Sequence, residues 1–192
     1  MKKWIVLPCL FFASVFGFSQ SFMQGAGLTI FVATVNNSDP AVIGGFTYSP
    51  RFNFMENENM SLSIGVPLSA GISEYYNSID PTDNSLSYMV NVPLMINLNV
   101  GAGSTHGNQR RFGFFVGAGF GYEYGSYSTN YSDGYSEYSS YIAKGSYGPA
   151  ANAGMRFAVG RGGKNVEVRL SYLRGIDATG ANVFGVASLF NF

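Results

Sequence analysis

Cysteine is almost absent from this 192-residue chain: the only one, Cys9, lies in the N-terminal apolar run. Once that run is removed, neither a disulfide nor a thiol nucleophile is available. Histidine is equally scarce. With His106 alone, the usual nucleophile–base pairings of hydrolases are scarcely available, and no Cys/His cluster suggests zinc. Charged residues make up 11% of the chain, against roughly 25% in a typical soluble domain. The formal net charge is zero, which removes the electrostatic case for a nucleic-acid partner. Low charge combined with abundant Gly, Tyr and Phe does not suit disorder. Beyond the N-terminus no apolar run is long enough for a membrane helix.

What is present begins with a leader. Lys2 and Lys3 form a positive start, Trp4 to Phe16 an apolar core, and Gly17-Phe18-Ser19 a small-x-small cleavage site. Residues 1–20 are expected to be a signal peptide, cleaved after Ser19 or Gln20, and 21–192 the mature domain. Cys9 sits inside the core of the run rather than at its end, which argues against a lipoprotein anchor.

Past the leader, apolar residues recur at every second position, the period of a strand with two unlike faces. Leu86, Tyr88, Val90, Val92, Leu94, Ile96, Leu98 and Val100 alternate with Ser, Met, Asn and Pro. Met60 to Ile72 and Phe112 to Tyr124 repeat the pattern against Ser and Gly. Weaker versions occupy about 22–35, 41–55, 142–160, 165–175 and 181–192. Eight strands result, an even number that places both ends of a barrel on one side. Short links are expected at Glu56–Asn59 and as a two-residue turn at Gly162–Gly163, with long ones at 73–84 and 125–141. The ten-residue link at 101–110 falls on the short-turn side and breaks this alternation, and the links at 36–40 and 176–180 are short for external loops. Pro67 and Pro93 each remove a ladder hydrogen bond, so a bulge or local distortion is expected at both.

Within the strand interiors Arg51, Arg111, Glu123, Lys144, Arg156, Glu167 and Arg169 all fall on the other row, and only Arg174, at a strand end where water is near, shares parity with the apolar row. A basic residue facing lipid near the midplane costs about 2–4 kcal/mol. That parity therefore places the apolar row against acyl chains and predicts an all-β, eight-stranded antiparallel up-and-down transmembrane β-barrel. Closure follows, since unpaired backbone cannot be left in hydrocarbon. An eight-stranded interior is just wide enough for side chains to fill. Phe31, Met55, Met89, Met95 and Phe115 are expected inside, with Arg51, Glu123, Arg156, Glu167 and Arg169 as a lumenal charge network. The Gly162–Gly163 turn would set Arg156 opposite Arg169 with Glu167 diagonal to Arg156, so that the acid separates like charges.

The expected outer loops hold all five aspartates (39, 80, 83, 133 and 177), and 122–147 is dense in tyrosine, serine and glycine. Such a surface adapts to partners at low entropic cost. Tyr127, Tyr131, Asp133, Tyr135 and Tyr138 are candidate contacts to an extracellular ligand, and the acids could bridge to lipopolysaccharide through divalent cations. An aromatic belt with a solvated loop is the plainer reading of the same residues. His106 is expected as a solvated turn residue. No catalytic, cofactor or metal site is expected.

Three stretches carry a resemblance: Tyr88-Met-Val-Asn-Val-Pro93-Leu94, Phe115-Val-Gly-Ala-Gly119-Phe-Gly-Tyr122 and Val168-Arg-Leu-Ser-Tyr172-Leu-Arg-Gly175. They resemble strands of the small porin-like outer-membrane β-barrel proteins of Bacteroidota, whose architecture is of the OmpA/OmpX type. The resemblance spans about 21–192 and implies the fold, the bacterial outer membrane as location and outer-membrane lipid as surroundings. The alternating end of the chain, with Phe190 and Phe192, is similar to the C-terminal signal read by outer-membrane assembly machinery. Activity is not implied, since one fold hosts many functions. Two roles stay open: a non-enzymatic barrel with a filled lumen serving the envelope or surface interactions, and a small pore or transport protein passing ions or small solutes.

Overall fold

A computed structural model describes residues 21–35, 40–75, 85–132, 137–160 and 163–192. The expected leader and Asp39, Asp80, Asp83, Asp133 and Tyr135 lie outside these residues. The period-two stretches form β1 (Ser21–Met23), β2 (Gly25–Thr34), β3 (Ala41–Tyr48), β4 (Arg51–Phe54), β5 (Met60–Gly65), β6 (Leu68–Tyr75), β7 (Ser85–Gly101), β8 (Phe112–Ser132), β9 (Glu137–Ala158), β10 (Asn165–Arg174) and β11 (Asn182–Asn191). β1–β2, β3–β4 and β5–β6 are each one stave with a break, because the pairing register is the same on both sides of the gap. Each of the eight staves pairs antiparallel with the next in sequence. β11 closes on β2, from Asn182 opposite Thr34 to Asn191 opposite Gly25. Closure leaves no unpaired edge in the wall, as a hydrocarbon environment requires. We call the end that carries Ser21, Phe192 and the 55–59 and 102–111 connections the turn end, and the opposite end the loop end.

The two rows take the expected sides. Leu28, Ile30, Phe46, Ile72, Leu94, Ile96, Val116, Phe120, Leu170 and Val186 are exposed on the outside. Thr29, Thr47, Ser63, Asn91, Asn97, Asn99, Asn152 and Asn191 are buried inside. A water-soluble barrel would have the opposite arrangement. Aromatic rings mark both rims of the outer wall. Tyr88, Tyr122, Tyr124, Tyr147 and Tyr172 lie towards the loop end; Phe22, Phe112, Phe157, Phe190 and Phe192 lie at the turn end. Such girdles sit at the two membrane–water interfaces of transmembrane barrels.

Several expectations need correction. The β8–β9 ladder runs on to Ser132 opposite Glu137, so most of the expected 125–141 loop is an extended hairpin. β7 accompanies β8 only as far as Met89 opposite Gly125, and beyond that pair the hairpin rises past its neighbour. Pro67 separates β5 from β6, and the register sets it across from Pro93, while β7 runs unbroken through Pro93. A bulge would shift the register by one residue. The register is unchanged, so neither proline forms a bulge, and Pro67 costs only ladder bonds. Met55 is not lumenal: it turns out of β4 with φ 53° and is 62% exposed. Arg111 and Lys144, expected on the non-apolar row, are exposed: Arg111 lies just before β8, and Lys144 lies on β9 beyond its last pair with β10 at Ala150.

Candidate functional site

The lumen is packed in tiers, and the lowest is ionic. Glu167 on β10 is completely buried, and three guanidiniums converge on its carboxylate. Arg156 Nε donates to Oε2 at 2.7 Å, Arg169 Nε to Oε1 at 2.8 Å, and Arg51 Nη1 to Oε2 at 3.3 Å. Asn191 Nδ2 adds a fourth donor at 3.2 Å. Arg156 also lies over the Phe115 ring, 4.3 Å from its centroid. Phe115 has room to lie there because residue 154 is glycine: a Cβ at Gly154 would come within 2.6 Å of the ring. These groups meet because parity puts them all on the inner row and register puts them at one height.

The register differs from the one a two-residue turn implies. The β9–β10 ladder ends at Ala158 opposite Asn165, so Glu167 itself faces Arg156, and Gly154 faces Arg169. The expected Arg156–Arg169 pairing is therefore displaced, and the acid stands directly across from one arginine. Displacement by two positions keeps parity, so the same side chains remain inside. Glu123 is also buried, but it stands towards the loop end of β8, opposite Asn91 and Ser146, and is not brought into the Glu167 cluster.

The turn end is closed by the connection that broke the length alternation. Residues 102–108 fold back into the barrel mouth, with Ala102, Ser104 and Thr105 buried. Gly101 and Gly103 have φ of +77° and +69°, the left-handed region that makes the chain double back. The carbonyl of Gly103 accepts from Arg51 Nη2 at 3.0 Å and Arg156 Nη1 at 3.3 Å. The carbonyl of Ser104 accepts from Asn53 Nδ2 at 3.1 Å and from Ser61 Oγ. Backbone oxygens thus supply part of the negative potential that one carboxylate cannot give three arginines. The anomalous length of the 101–110 link was the only sequence signal for this plug. His106 lies on its exposed outer side.

Nearer the loop end an apolar cluster fills much of the lumen, beside the buried Glu123 and Ser146. Phe31, Ala33, Ile43, Met89, Met95, Leu173 and Val183 form one buried cluster. Above it the 175–181 turn is tied to β9 through Asp177. Its carboxylate accepts from Ser146 Oγ and Tyr147 N–H at 2.7 Å each, and from the N–H groups of Thr179 at 2.7 Å and Gly180 at 3.2 Å. Burial acts to raise its pKa, but these four donors outweigh it and hold the group at about 2. Asp177 is therefore a turn-holding residue, its oxygens already taken.

The remaining candidates lie apart from the lumen. On the extended hairpin Tyr131 is opposite Tyr138, and Tyr127 is opposite Ile142, which places these tyrosines on strands rather than in a loop. Phe190 and Phe192 lie on the outer wall at the turn end, with ring centroids 6.3 Å apart. The Phe192 N–H donates to Gln24 O at 2.8 Å, joining the two ends of the described chain.

No family profile and no curated protein matches this sequence. Solved structures do match in shape. Neisserial surface protein A superposes with a TM-score of 0.58 at 13% identity, over 90% of this chain and 97% of that one. Ail, the attachment invasion locus protein of Yersinia pestis, gives 0.57 at 10% identity, over 90% and 98%. With strand number, closure and the inverted apolar wall, this likeness establishes that the chain has the fold of the small eight-stranded outer-membrane β-barrels.

Proposed function

We propose that the protein is a non-conducting, non-catalytic barrel of the bacterial outer membrane, which anchors its tall β8–β9 hairpin at the cell surface. The observation that carries this reading is the filling of the lumen. An ion cluster backed by the 102–108 plug closes the turn end, and the Phe31–Leu173 cluster closes the loop end. Side chains that fill a barrel exclude the water column that a channel needs. In this reading residues 1–20 are the cleaved export signal, and Phe190 and Phe192 are read by the assembly machinery. Lipid and lipopolysaccharide surround the wall. Tyr127, Tyr131, Asp133, Tyr135 and Tyr138 present a contact surface to an extracellular ligand.

Liposome swelling with small sugars and planar-bilayer recording test the seal. The native protein is expected to be silent in both, and steady single-channel conductance would replace this reading with a pore. Deleting 126–140 tests the surface role: the truncated barrel should still insert but lose adhesion to host or matrix ligands. Adhesion that survives the deletion rules out the hairpin as the contact.

A further inference from the structure

Between the ionic tier and the apolar tier lies a small chamber with a volume of about 30 Å³. Its wall includes Asn91, Asn152, Arg169, Thr47 and Ser69, with Phe31 and Leu173 of the apolar tier. Arg169, Asn91 and Asn152 are each only 6% exposed. Arg169 spends Nε on Glu167 and Nη2 on Glu167 and Ser49 Oγ, but Nη1 is buried with no hydrogen-bond partner among the described residues. Asn91 Oδ1 and Asn152 Oδ1 are in the same condition. Thr47 Oγ1 and Ser69 Oγ share one bond of 2.8 Å, which uses one of their two hydroxyl hydrogens and leaves the other for the chamber.

Buried polar groups in native proteins find partners, and the chemistry of these decides which. The site needs a ligand that accepts from Arg169 Nη1 and donates to two carboxamide oxygens. A halide only accepts, and would leave both oxygens facing an anion. A sodium or potassium ion would suit the oxygens but would sit beside a guanidinium. Water does both at once, and about 30 Å³ holds one or two molecules of it, each wanting two to four polar partners. We infer that this chamber is a specific buried water site, one or two molecules bridging Arg169 to Asn91 and Asn152. The ionic tier lies on one side of it and the apolar tier on the other, so the bound water is expected to exchange more slowly than surface water. The site accounts for asparagine, a costly residue to bury without partners, on the inner row between a salt-bridge cluster and an apolar cap.

The experiment is a high-resolution crystal structure of the detergent-purified native barrel, with a second crystal soaked in sodium bromide. Expected are one or two solvent peaks within hydrogen-bond distance of Arg169 Nη1 and at least one of the two carboxamides, and no anomalous bromide signal there. In Asn91→Ser the shorter side chain should admit one further peak. Oxygen-17 relaxation dispersion gives a second readout in solution: the long-lived water of the native protein should be lost in Asn152→Leu, whose apolar branch fills the space. A dry chamber, a bromide peak, or ligand distances short enough for a bound sodium would each overturn the inference. Conductance of the same preparation is read separately. A conducting barrel with ordered water would refute the seal and leave the site, and a silent barrel with a dry chamber would do the reverse.

Discussion

Glu167→Gln removes one charge and leaves the side-chain shape and an oxygen acceptor in place. In the native barrel that carboxylate is fully buried and receives Arg156 at 2.7 Å, Arg169 at 2.8 Å and Arg51 at 3.3 Å. Removing one member of a buried ion pair typically costs about 3–5 kcal/mol, because an uncompensated charge is left behind. Here one substitution unpairs three guanidiniums, and the Gly103 carbonyl supplies only partial compensation to Arg51 and Arg156. The expected loss is therefore about 3–5 kcal/mol, equivalent to a hundredfold or greater fall in the folded ratio. A urea titration in lipid vesicles, read by the electrophoretic shift between folded and unfolded barrel, measures it. The cycle is completed by Arg156→Met, which should cost less when combined with Glu167→Gln than in the native protein. Replacing Glu167 by Leu together with Met at all three arginines should recover most of the loss, since an apolar tier of similar volume needs no counter-charge. If Glu167→Gln stays within about 0.5 kcal/mol of native, the size of an ordinary surface change, then the cluster does not hold the lower lumen together.

Ile96 is 54% exposed on the outer wall, midway along the membrane-spanning part of β7, and Ile96→Arg should cost about 2–4 kcal/mol in the same titration; an unchanged midpoint would mean that this wall does not face lipid. Gly103→Ala forces a side chain to φ +69° and brings its Cβ to 2.6 Å from Asn165 Nδ2, so about 1–3 kcal/mol should be lost and the 102–111 segment should become cleavable by protease. Asp177 has a folded pKa of about 2, below its ordinary 3.8; its contribution is therefore fully present above about pH 4 and is lost as the pH falls through 2. The amide resonances of Tyr147, Thr179 and Gly180 should follow that titration, and should not move over the same range in Asp177→Asn.

The fold was legible because a strand in lipid obeys one severe constraint, namely apolar side chains at every second position with charge kept to the other row. Leu94, Ile96 and Leu98 on one side of β7, with Asn97 and Asn99 on the other, state that constraint directly. The same parity brought Arg51, Arg156, Glu167 and Arg169 into the lumen, since a two-residue error in register cannot change the face on which a side chain lies. Parity did not carry to strand ends. Met55 and Arg111 lie where the chain leaves the ladder, and there alternation stops predicting orientation.

Sequence alone thus determined the strand number, the inside and the outside, and which ionisable groups share the interior. Tertiary structure decided the heights. It decided that Glu167 rather than Arg169 faces Arg156, that Glu123 stands apart, and that 102–108 folds inward to offer its carbonyls to the arginines. The physical reason is that the face of a strand is a local, two-residue property written in hydrophobicity. The height at which two strands meet depends on turn geometry and on long-range pairing around the closed wall, to which no single segment holds the key.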